Sequence, residues 1–351
     1  MTTTILITCK INYEKILARE IALYNVDFLT KGRGWILAQW EKQTLTKQYD
    51  TPLTNSCFAY HLLENPADVR AASVNSLTES LVNLFITHIG ETRIVEPWKF
   101  LFTSSGNEQL IHHAKSVKKR WLNKMAKRLS HVTRLSQEGI PYGSKFTEGF
   151  FVQFIDFNHV FVSFRALSTG QQRMQMDSQA PSRSYLKTEE AFRMFGHEPR
   201  ANETVIDLGA APGGWSYSAL KRGAIVTAID NGPLKDPVKS HRNISHLKVD
   251  GIKYIYELSK PADWLLCDIL EKPDIILNLL HKWVSQKWCR RFIVNIKIGR
   301  EDPIGLIKKI RDPQKGILPH CKLLYIRQLY HNREEITLMG QTKENTPIMP
   351  F

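Results

Sequence analysis

The sequence predicts an α/β protein in which a parallel-rich, doubly wound sheet of seven strands follows a smaller α+β region. Short apolar runs alternate with helical or loop stretches from residue 204 onward, a pattern typical of parallel sheets. The polar stretch STGQQRMQMDSQAPSRS precedes that half and has the composition of a linker. The 351 residues also exceed the usual size of one domain. We therefore expect one sheet-based unit with smaller units before it.

The first element is predicted from TILITCKINYEKILAREIAL, which has the pattern of a β-strand, a turn and an amphipathic helix. GWILAQW predicts a second strand. This order suits a ferredoxin-like α+β module over residues 1–75. A second module, over residues 76–170, is predicted from the strand WKFLFTS, a long helix from Asn107, and two strands around the turn DFNH.

The long helix that begins at Asn107 has an apolar face, which includes Trp121, and a basic face on the opposite side. Residues 101–150 hold nine Lys and Arg against three Asp and Glu, and no acid lies between residues 109 and 137. Two interpretations stay open: a solvated surface helix, or a face that follows RNA phosphates, with Trp121 and neighbouring aromatics helping to grip the RNA. The candidate RNA-binding residues are Lys115, Lys118, Lys119, Arg120, Lys124, Lys127 and Arg128.

After a linker over residues 171–181, residues 182–351 supply seven candidate strands. These are TVIDLGA, AIVTAID, ISHLKVD, ADWLLCDI, RRFIVNIKI, KLLYIRQLY and EITLMG. Only HNRE separates the last two, too few residues for a crossover connection, so they are predicted to form an antiparallel hairpin at one edge.

The net charge, the cysteine pattern and the lengths of the apolar runs limit the classes of protein to which this chain can belong. The net charge of +14 indicates a polyanionic partner. The five cysteines form no CxxC pair, which favours reduced, buried thiols over disulfides or zinc. No apolar run is long enough to cross a membrane and no secretion signal is evident, so we expect a soluble, cytoplasmic protein. No metal is expected, since the scattered cysteines argue against a zinc site.

The glycine loop VIDLGAAPGGWS, residues 205–216, is the central motif. Its spacing matches neither GxGxxG nor a Walker A loop. Small residues there let backbone amides contact an adenosyl group, and Asp207, Asp230 and Asp250 close successive strands, where carboxylates can take ribose hydroxyls. S-adenosylmethionine fits this set, although the three acids could instead cap turns. The remaining candidate cofactor residues of the loop are Gly209, Ala211, Pro212, Gly213, Gly214 and Trp215.

With SRSYLKTEEAF, DNGP, VDGIKY, CDILEKP, WCRRFIVNIKI and LYHNREEITL, this loop resembles the FtsJ-like RNA 2′-O-ribose methyltransferases, and most closely their branch that acts on a cytidine of 23S rRNA. The resemblance implies a Rossmann-like class I methyltransferase domain, preceded by ferredoxin-like and THUMP RNA-binding domains. Two positions depart from the branch, which has cysteine at Ala211 and proline at Gly299. Ser184 matches the segment that contacts the methionine end of the donor, but it could equally cap a helix.

The resemblance also implies a catalytic tetrad, Lys187, Asp268, Lys297 and Glu335. Lys297 is the expected base for the ribose hydroxyl, with its pKa lowered by Lys187 and by partial burial. Asp268, which also faces the donor, and Glu335 would hold the ammonium groups. Glu334 competes with Glu335, and we prefer Glu335 because it directly precedes the apolar ITL.

We therefore expect 2′-O-methylation of a cytidine in 23S rRNA or a precursor particle. Two alternatives stay open: a non-catalytic RNA-binding assembly factor, and 2′-O-methylation of another RNA such as tRNA. Base methylation is disfavoured because the strand ending LLCDIL lacks the Asn/Asp-Pro-Pro-Tyr/Phe loop of amino-group methylation.

Overall fold

The computed structural model describes residues 2–41, 52–143, 145–257 and 259–343. The chain divides into two compact units, Met1–Gly170 and Gln171–Phe351. The division falls where the predicted linker begins. A further boundary at residue 75 and the ferredoxin-like and THUMP-like character of the two parts stay predictions.

The first unit is built on a nine-stranded sheet within the described residues. Its strands are β1 (Thr2–Thr8), β2 (Val26–Gly32), β3 (Trp35–Glu41), β4 (His61–Glu64), β5 (Ala67–Arg70), β6 (Trp98–Ser104), β7 (Ser136–Glu138), β8 (Thr147–Asp156) and β9 (His159–Ser168). Its helices are α1 (Glu14–Ile21), α2 (Val74–Ile89), α3 (Glu108–Arg128) and α4 (Ser130–Arg134). The strand order is β2-β3-β1-β4-β9-β8-β6-β7, and β5 also pairs with β9. One sheet therefore joins strands from both predicted modules.

A buried carboxylate ties α1 to the start of the chain segment before β4. Glu20 is 0% exposed and accepts hydrogen bonds from the Ser56 hydroxyl and the Cys57 amide, each at 2.6 Å, and from the Phe58 amide at 3.1 Å. Because a buried carboxylate is stable only when its oxygens are satisfied, this side chain fixes the geometry of residues 56–58.

The second unit contains the predicted seven-stranded sheet. Its strands are β10 (Thr204–Leu208), β11 (Ile225–Ile229), β12 (Ile244–Leu247), β13 (Ala262–Cys267), β14 (Cys289–Lys297), β15 (Cys321–Arg327) and β16 (Glu335–Thr342). Its helices are α5 (Tyr185–Phe195), α6 (Gly214–Leu220), α7 (Pro273–Ser285) and α8 (Pro303–Arg311). The strand order in the described part of this unit is β12-β11-β10-β13-β14-β16-β15.

The pairing of these strands confirms the predicted mixed α/β sheet. Strands β10 to β14 run parallel with their neighbours, β14 pairs antiparallel with β16, and β15 and β16 form the predicted antiparallel hairpin at the edge. The strand order reverses between β10 and β13, and ligands of doubly wound sheets bind at the carboxyl edge of such a switch point. The loop after β11 opens at the same edge, because β11 pairs in parallel with β10.

Helices α5 and α6 pack on this sheet through one apolar core. Phe192 and Phe195 of α5 meet Trp264 of β13 edge to face, with ring centroids 5.5 and 6.1 Å apart. All five cysteines are free and buried, as predicted. None of the helices in the described ranges combines the length and apolar character needed to cross a membrane.

Candidate active site and RNA-binding face

The glycine loop lies between β10 and α6, as the sequence predicts. Gly209 and Gly213 have positive φ angles of 75° and 115°, conformations that favour glycine. A Cβ at Gly214 would lie 2.2 Å from Ser184 Oγ and 2.4 Å from Ser182 Oγ. The loop therefore requires glycine at position 214, because two serine hydroxyls occupy the space of a side chain.

Ser184 contacts this loop from the start of α5. Its hydroxyl lies 2.7 Å from that of Ser182, and although it occupies the N-cap position it makes no capping hydrogen bond. The alternative reading of Ser184 as a side-chain helix cap is therefore wrong, because its hydroxyl is directed to Ser182 and Gly214 instead.

Two of the three predicted strand-end acids are partly exposed, and Asp230 contacts the loop directly. Asp230 follows β11 and accepts hydrogen bonds from the amides of Ala211 at 3.0 Å and Gly232 at 2.7 Å. Asp250 lies three residues beyond the end of β12, in a turn where it accepts from the Ile252 amide. Both are partly exposed, so their remaining lone pairs are open to a ligand.

Asp207 and Trp215 lie beneath the loop instead. Asp207 is 0% and Trp215 is 2% exposed. The Ser216 hydroxyl donates to Asp207 Oδ2 at 2.6 Å, while Oδ1 is buried without a hydrogen-bond partner among the described residues. Burial, together with the negative charges of Asp268 and Asp230, raises the pKa of Asp207 to about 7. Direct contact of these two residues with a cofactor stays a prediction.

Three of the four tetrad residues converge above the end of the sheet. Lys187 Nζ, on α5, lies 3.0 Å from Glu335 Oε2 and 3.7 Å from Asp268 Oδ1. Glu335 begins β16 and Asp268 follows β13. The three side chains are only 15–24% exposed. By contrast, Glu334 is exposed and forms no ion pair within the described ranges, so the geometry favours Glu335 over its neighbour.

Lys297 completes the group through strand register. It lies directly opposite Glu335 in the β14–β16 ladder, so the two side chains share one face of the sheet. The structure leaves Lys297 exposed and without an ion pair in the part of the chain it describes. The expectation of partial burial is therefore wrong, because Lys297 is the last residue of β14 and its side chain is exposed there.

A polar relay that the sequence reasoning missed supports Asp268. Asn295 Nδ2 donates to Asp268 Oδ1 at 2.9 Å, and the Thr337 hydroxyl donates to Asn295 Oδ1 at 2.7 Å. Asn332 Nδ2 donates in turn to Thr337 Oγ1 at 3.0 Å. Burial raises the pKa of Asp268 above its ordinary value, against the lowering effects of Lys187 and Asn295. The available signal was a polar Asn inside the otherwise apolar run FIVNI.

The loop between β15 and β16 is anchored by a second buried carboxylate that the sequence reasoning also missed. Glu190 of α5 is 0% exposed and accepts from the amides of Tyr330 at 2.8 Å, His331 at 3.1 Å and Gln172 at 3.2 Å. The Met174 amide donates to His331 Nε2 at 2.8 Å. These bonds fix the loop that leads into Glu335.

A cavity of about 310 Å³ opens beside the tetrad. Its lining comes from the start of α5 and from the loop before β16, and comprises Arg183, Ser184, Leu186, Lys187, His331, Arg333 and Glu335. Among the described residues, no group of three or more His, Cys, Asp or Glu side chains is arranged to hold a metal ion.

The basic helix α3 of the first unit is only partly as predicted. Trp121 is 0% exposed and stacks on Phe150 with centroids 5.0 Å apart. The prediction that Trp121 grips RNA is wrong, because its ring fills the core beneath the helix. Charge on the helix is also partly compensated from other elements, since Lys118 pairs with Glu138 at 2.5 Å and Glu79 pairs with both Lys124 and Arg128.

The other basic side chains of α3 face solvent. Arg120 donates to Asn75 Oδ1 at 2.9 Å. Three exposed lysines form no ion pair within the described ranges, and these are Lys115, Lys119 and Lys127. They are the residues of this face best placed to meet an external anion.

Comparison with known proteins confirms the resemblance predicted from the sequence. Residues 180–290 match the family of FtsJ-like methyltransferases. A protein of Thauera aminoaromatica named "Ribosomal RNA large subunit methyltransferase M" is 41% identical over 175 residues, covering 47% of this chain and 47% of that protein. A protein of the same name from Pseudomonas putida KT2440 is 36% identical over 199 residues, covering 52% and 56%.

The chain thus spans about half the length of the curated relatives it matches. Among solved structures, TrmN from Thermus thermophilus is similar over 97% of this chain and 99% of its own, with 11% identity and a TM-score of 0.35.

Proposed function

We propose that this protein transfers a methyl group from S-adenosylmethionine to the 2′-hydroxyl of a ribose in RNA, at a cytidine of 23S rRNA or of a precursor particle. The observation that carries the proposal is the position of Lys187 Nζ, 3.0 Å from Glu335 Oε2 and 3.7 Å from Asp268 Oδ1. Lys297 lies opposite Glu335 in the β14–β16 ladder. The similarity to proteins named as ribosomal RNA methyltransferases supports it.

The residues around the glycine loop fit S-adenosylmethionine. Two serine hydroxyls occupy the space that a side chain at Gly214 would fill. A ligand at this loop would therefore contact backbone and small polar groups. Asp230 and Asp250 provide partly exposed carboxylates for ribose hydroxyls. Asp268 adds a third carboxylate at the same sheet edge, next to the cationic end that the donor would present. When bound, the donor supplies an electrophilic methyl group on a sulfonium that departs as a neutral thioether.

The side chains of the tetrad have separate roles in deprotonating and orienting the ribose 2′-hydroxyl. Lys297 accepts the proton of the ribose 2′-hydroxyl as the general base, and RNA seated over the end of β14 removes water from this exposed amine. Lys187, held by Glu335 and Asp268, orients the hydroxyl that Lys297 deprotonates. Asn295 keeps Asp268 in place through its 2.9 Å hydrogen bond.

The exposed lysines of α3 supply an RNA-binding surface in the first unit. Three exposed lysines of this helix form no ion pair among the described residues, and these are Lys115, Lys119 and Lys127. Exposed cations on one helix suit contact with phosphates. A cytoplasmic location accords with such a substrate and stays a prediction.

The proposal is tested with alanine variants of the four tetrad residues, assayed with labelled S-adenosylmethionine and 23S rRNA transcribed in vitro without modifications. We expect Lys297→Ala to lose about 100-fold or more in kcat, since general bases contribute on that order, while its affinity for the donor is retained. Glu334→Ala is the matched control, because it removes a neighbouring carboxylate that forms no ion pair in the described structure.

Equal activity of Lys297→Ala and Glu334→Ala would contradict the assignment of Lys297. Donor binding by the wild-type chain without transfer to any RNA would instead favour the non-catalytic RNA-binding alternative.

A further inference from the structure

The cavity beside the tetrad has a charge that the methyl-transfer chemistry does not require. Of the seven residues that line it, Arg183, Lys187 and Arg333 carry permanent positive charges and Glu335 carries the only carboxylate. Glu335 is already engaged by Lys187 at 3.0 Å. In the lining of this cavity, cationic side chains therefore outnumber the single carboxylate.

The cavity wall is preorganised. Glu190 binds the amides of Tyr330 and His331, and the Arg333 amide donates to Glu335 Oε2 at 3.3 Å. Because the Met174 amide donates to Nε2 of His331, that nitrogen is unprotonated and Nδ1 carries the ring's N–H donor. Arg333 thus extends from a loop that the buried Glu190 holds in place, and Arg183 lies just before the start of α5.

The structure of RNA indicates which group would lie in this cavity. The 2′-oxygen of a ribose is attached to the carbon next to the one that carries the 3′-phosphodiester, so a hydroxyl placed at Lys187 and Lys297 brings that phosphodiester with it. Arginine is suited to phosphate because its planar group can donate two parallel hydrogen bonds. Tyr330, which is 46% exposed beside His331, offers a ring on which an unpaired base can stack.

We propose that Arg183 and Arg333, together with the His331 ring that lines the same cavity, bind the phosphodiester flanking the target ribose and so position its 2′-hydroxyl. This inference rests on the proposed function. The carboxylate of the methyl donor is a second source of an anionic group for this cavity, and the donor affinity measured below distinguishes the two sources.

The test compares the full-length chain with Arg183→Gln/Arg333→Gln and with the matched control Arg200→Gln/Arg242→Gln. The control removes two exposed arginines that precede β10 and β12, at the opposite edge of the same sheet. Three quantities are measured: the KM for unmodified 23S rRNA in methyl transfer, the Kd for S-adenosylmethionine by calorimetry, and the salt dependence of binding to a fluorescent oligocytidylate.

We expect the Arg183/Arg333 variant to raise the KM for rRNA about tenfold, since two charge-assisted phosphate contacts are lost. The slope of log K against log salt should fall by about 0.7, because the two arginines together neutralise one phosphate of a single strand. The Kd for the donor should stay within about twofold of the wild-type value. The single variants Arg183→Gln and Arg333→Gln should each show part of the effect, and circular dichroism verifies that all variants are folded.

Two results would overturn the inference alone. The KM and salt slope of the Arg183/Arg333 variant could equal those of the control, or its donor Kd could rise while the KM for rRNA stays unchanged, which would make the cavity a donor-carboxylate site. A wild-type chain that transfers no methyl group to RNA would refute the proposed function itself, whatever the variants do.

Discussion

Replacement of Asp207 by asparagine should stabilise the protein at alkaline pH and remove part of its pH dependence. Asp207 is 0% exposed under the glycine loop, and its pKa is raised from the ordinary 3.8 to about 7. The folded chain therefore binds a proton that the unfolded chain releases between these two values. Stability from this group is complete below the ordinary pKa and is lost as pH rises through about 7.

The magnitude follows from the two pKa values. Their difference corresponds to about 4 kcal/mol of unfolding free energy in total, of which about 2 kcal/mol is lost between about pH 5.5 and about pH 8.5. Asparagine has nearly the same volume, and its oxygen can still accept the hydrogen bond that Ser216 donates at 2.6 Å. The uncharged variant should therefore keep the loop without the cost of a buried charge.

Urea unfolding of the full chain, followed by tryptophan fluorescence across this pH range, measures the effect. The free energy of unfolding of Asp207→Asn minus that of wild type should grow by about 2 kcal/mol from the acidic to the alkaline end. Asp274→Asn serves as control, because Asp274 is exposed at the start of α7. Parallel pH dependences for wild type and Asp207→Asn would contradict a raised pKa of Asp207 in the folded chain.

Three further predictions concern the loop, the tetrad support and the first unit. Gly214→Ala should weaken the affinity for S-adenosylmethionine about tenfold in calorimetry, because its Cβ would lie 2.2 Å from Ser184 Oγ. An unchanged Kd would contradict the assignment of the glycine loop as the binding site of the donor. Asn295→Ala should raise the pKa of Asp268 further and move the acidic limb of the kcat profile to higher pH, since the lost hydrogen bond favours the carboxylate; a profile identical to wild type would argue against the relay. Replacement of the three exposed lysines of α3 by glutamine should lower the slope of log K against log salt for RNA binding by about 2. The same replacement at the three ion-paired basic residues of α3 should lower this slope less. A larger effect at the ion-paired residues would contradict the assignment of the exposed lysines as the RNA-binding surface. The exposed set is Lys115, Lys119 and Lys127, and the paired set is Lys118, Lys124 and Arg128.

Features with a local cause were predictable from the sequence. The strands of the second unit follow from short apolar runs between turns, and the hairpin of β15 and β16 follows from a connection too short to cross over. The start of α6 follows from two glycines after a strand. The positions of Lys187, Asp268 and Glu335 could be predicted only through the family resemblance, because α5, β13 and β16 are far apart in the sequence.

Features that depend on tertiary contacts were not predictable from the same patterns. Trp121 lies on the apolar arc of α3, but only packing against Phe150 shows that no edge of the ring reaches solvent. The helix contains no acid between residues 109 and 137, yet Glu79 and Glu138 reach it from other elements. The exposure of Lys297 likewise depends on what covers the end of β14, which no local pattern encodes.

The central claim is that the group methylated is a ribose hydroxyl. The most direct measurement incubates the full chain with labelled S-adenosylmethionine and unmodified 23S rRNA, digests the RNA to nucleosides and identifies the labelled product by mass. The wild-type chain should yield 2′-O-methylcytidine, and Lys297→Ala should yield none. Label on a base, or an equal yield of the ribose-methylated product from Lys297→Ala, would contradict it.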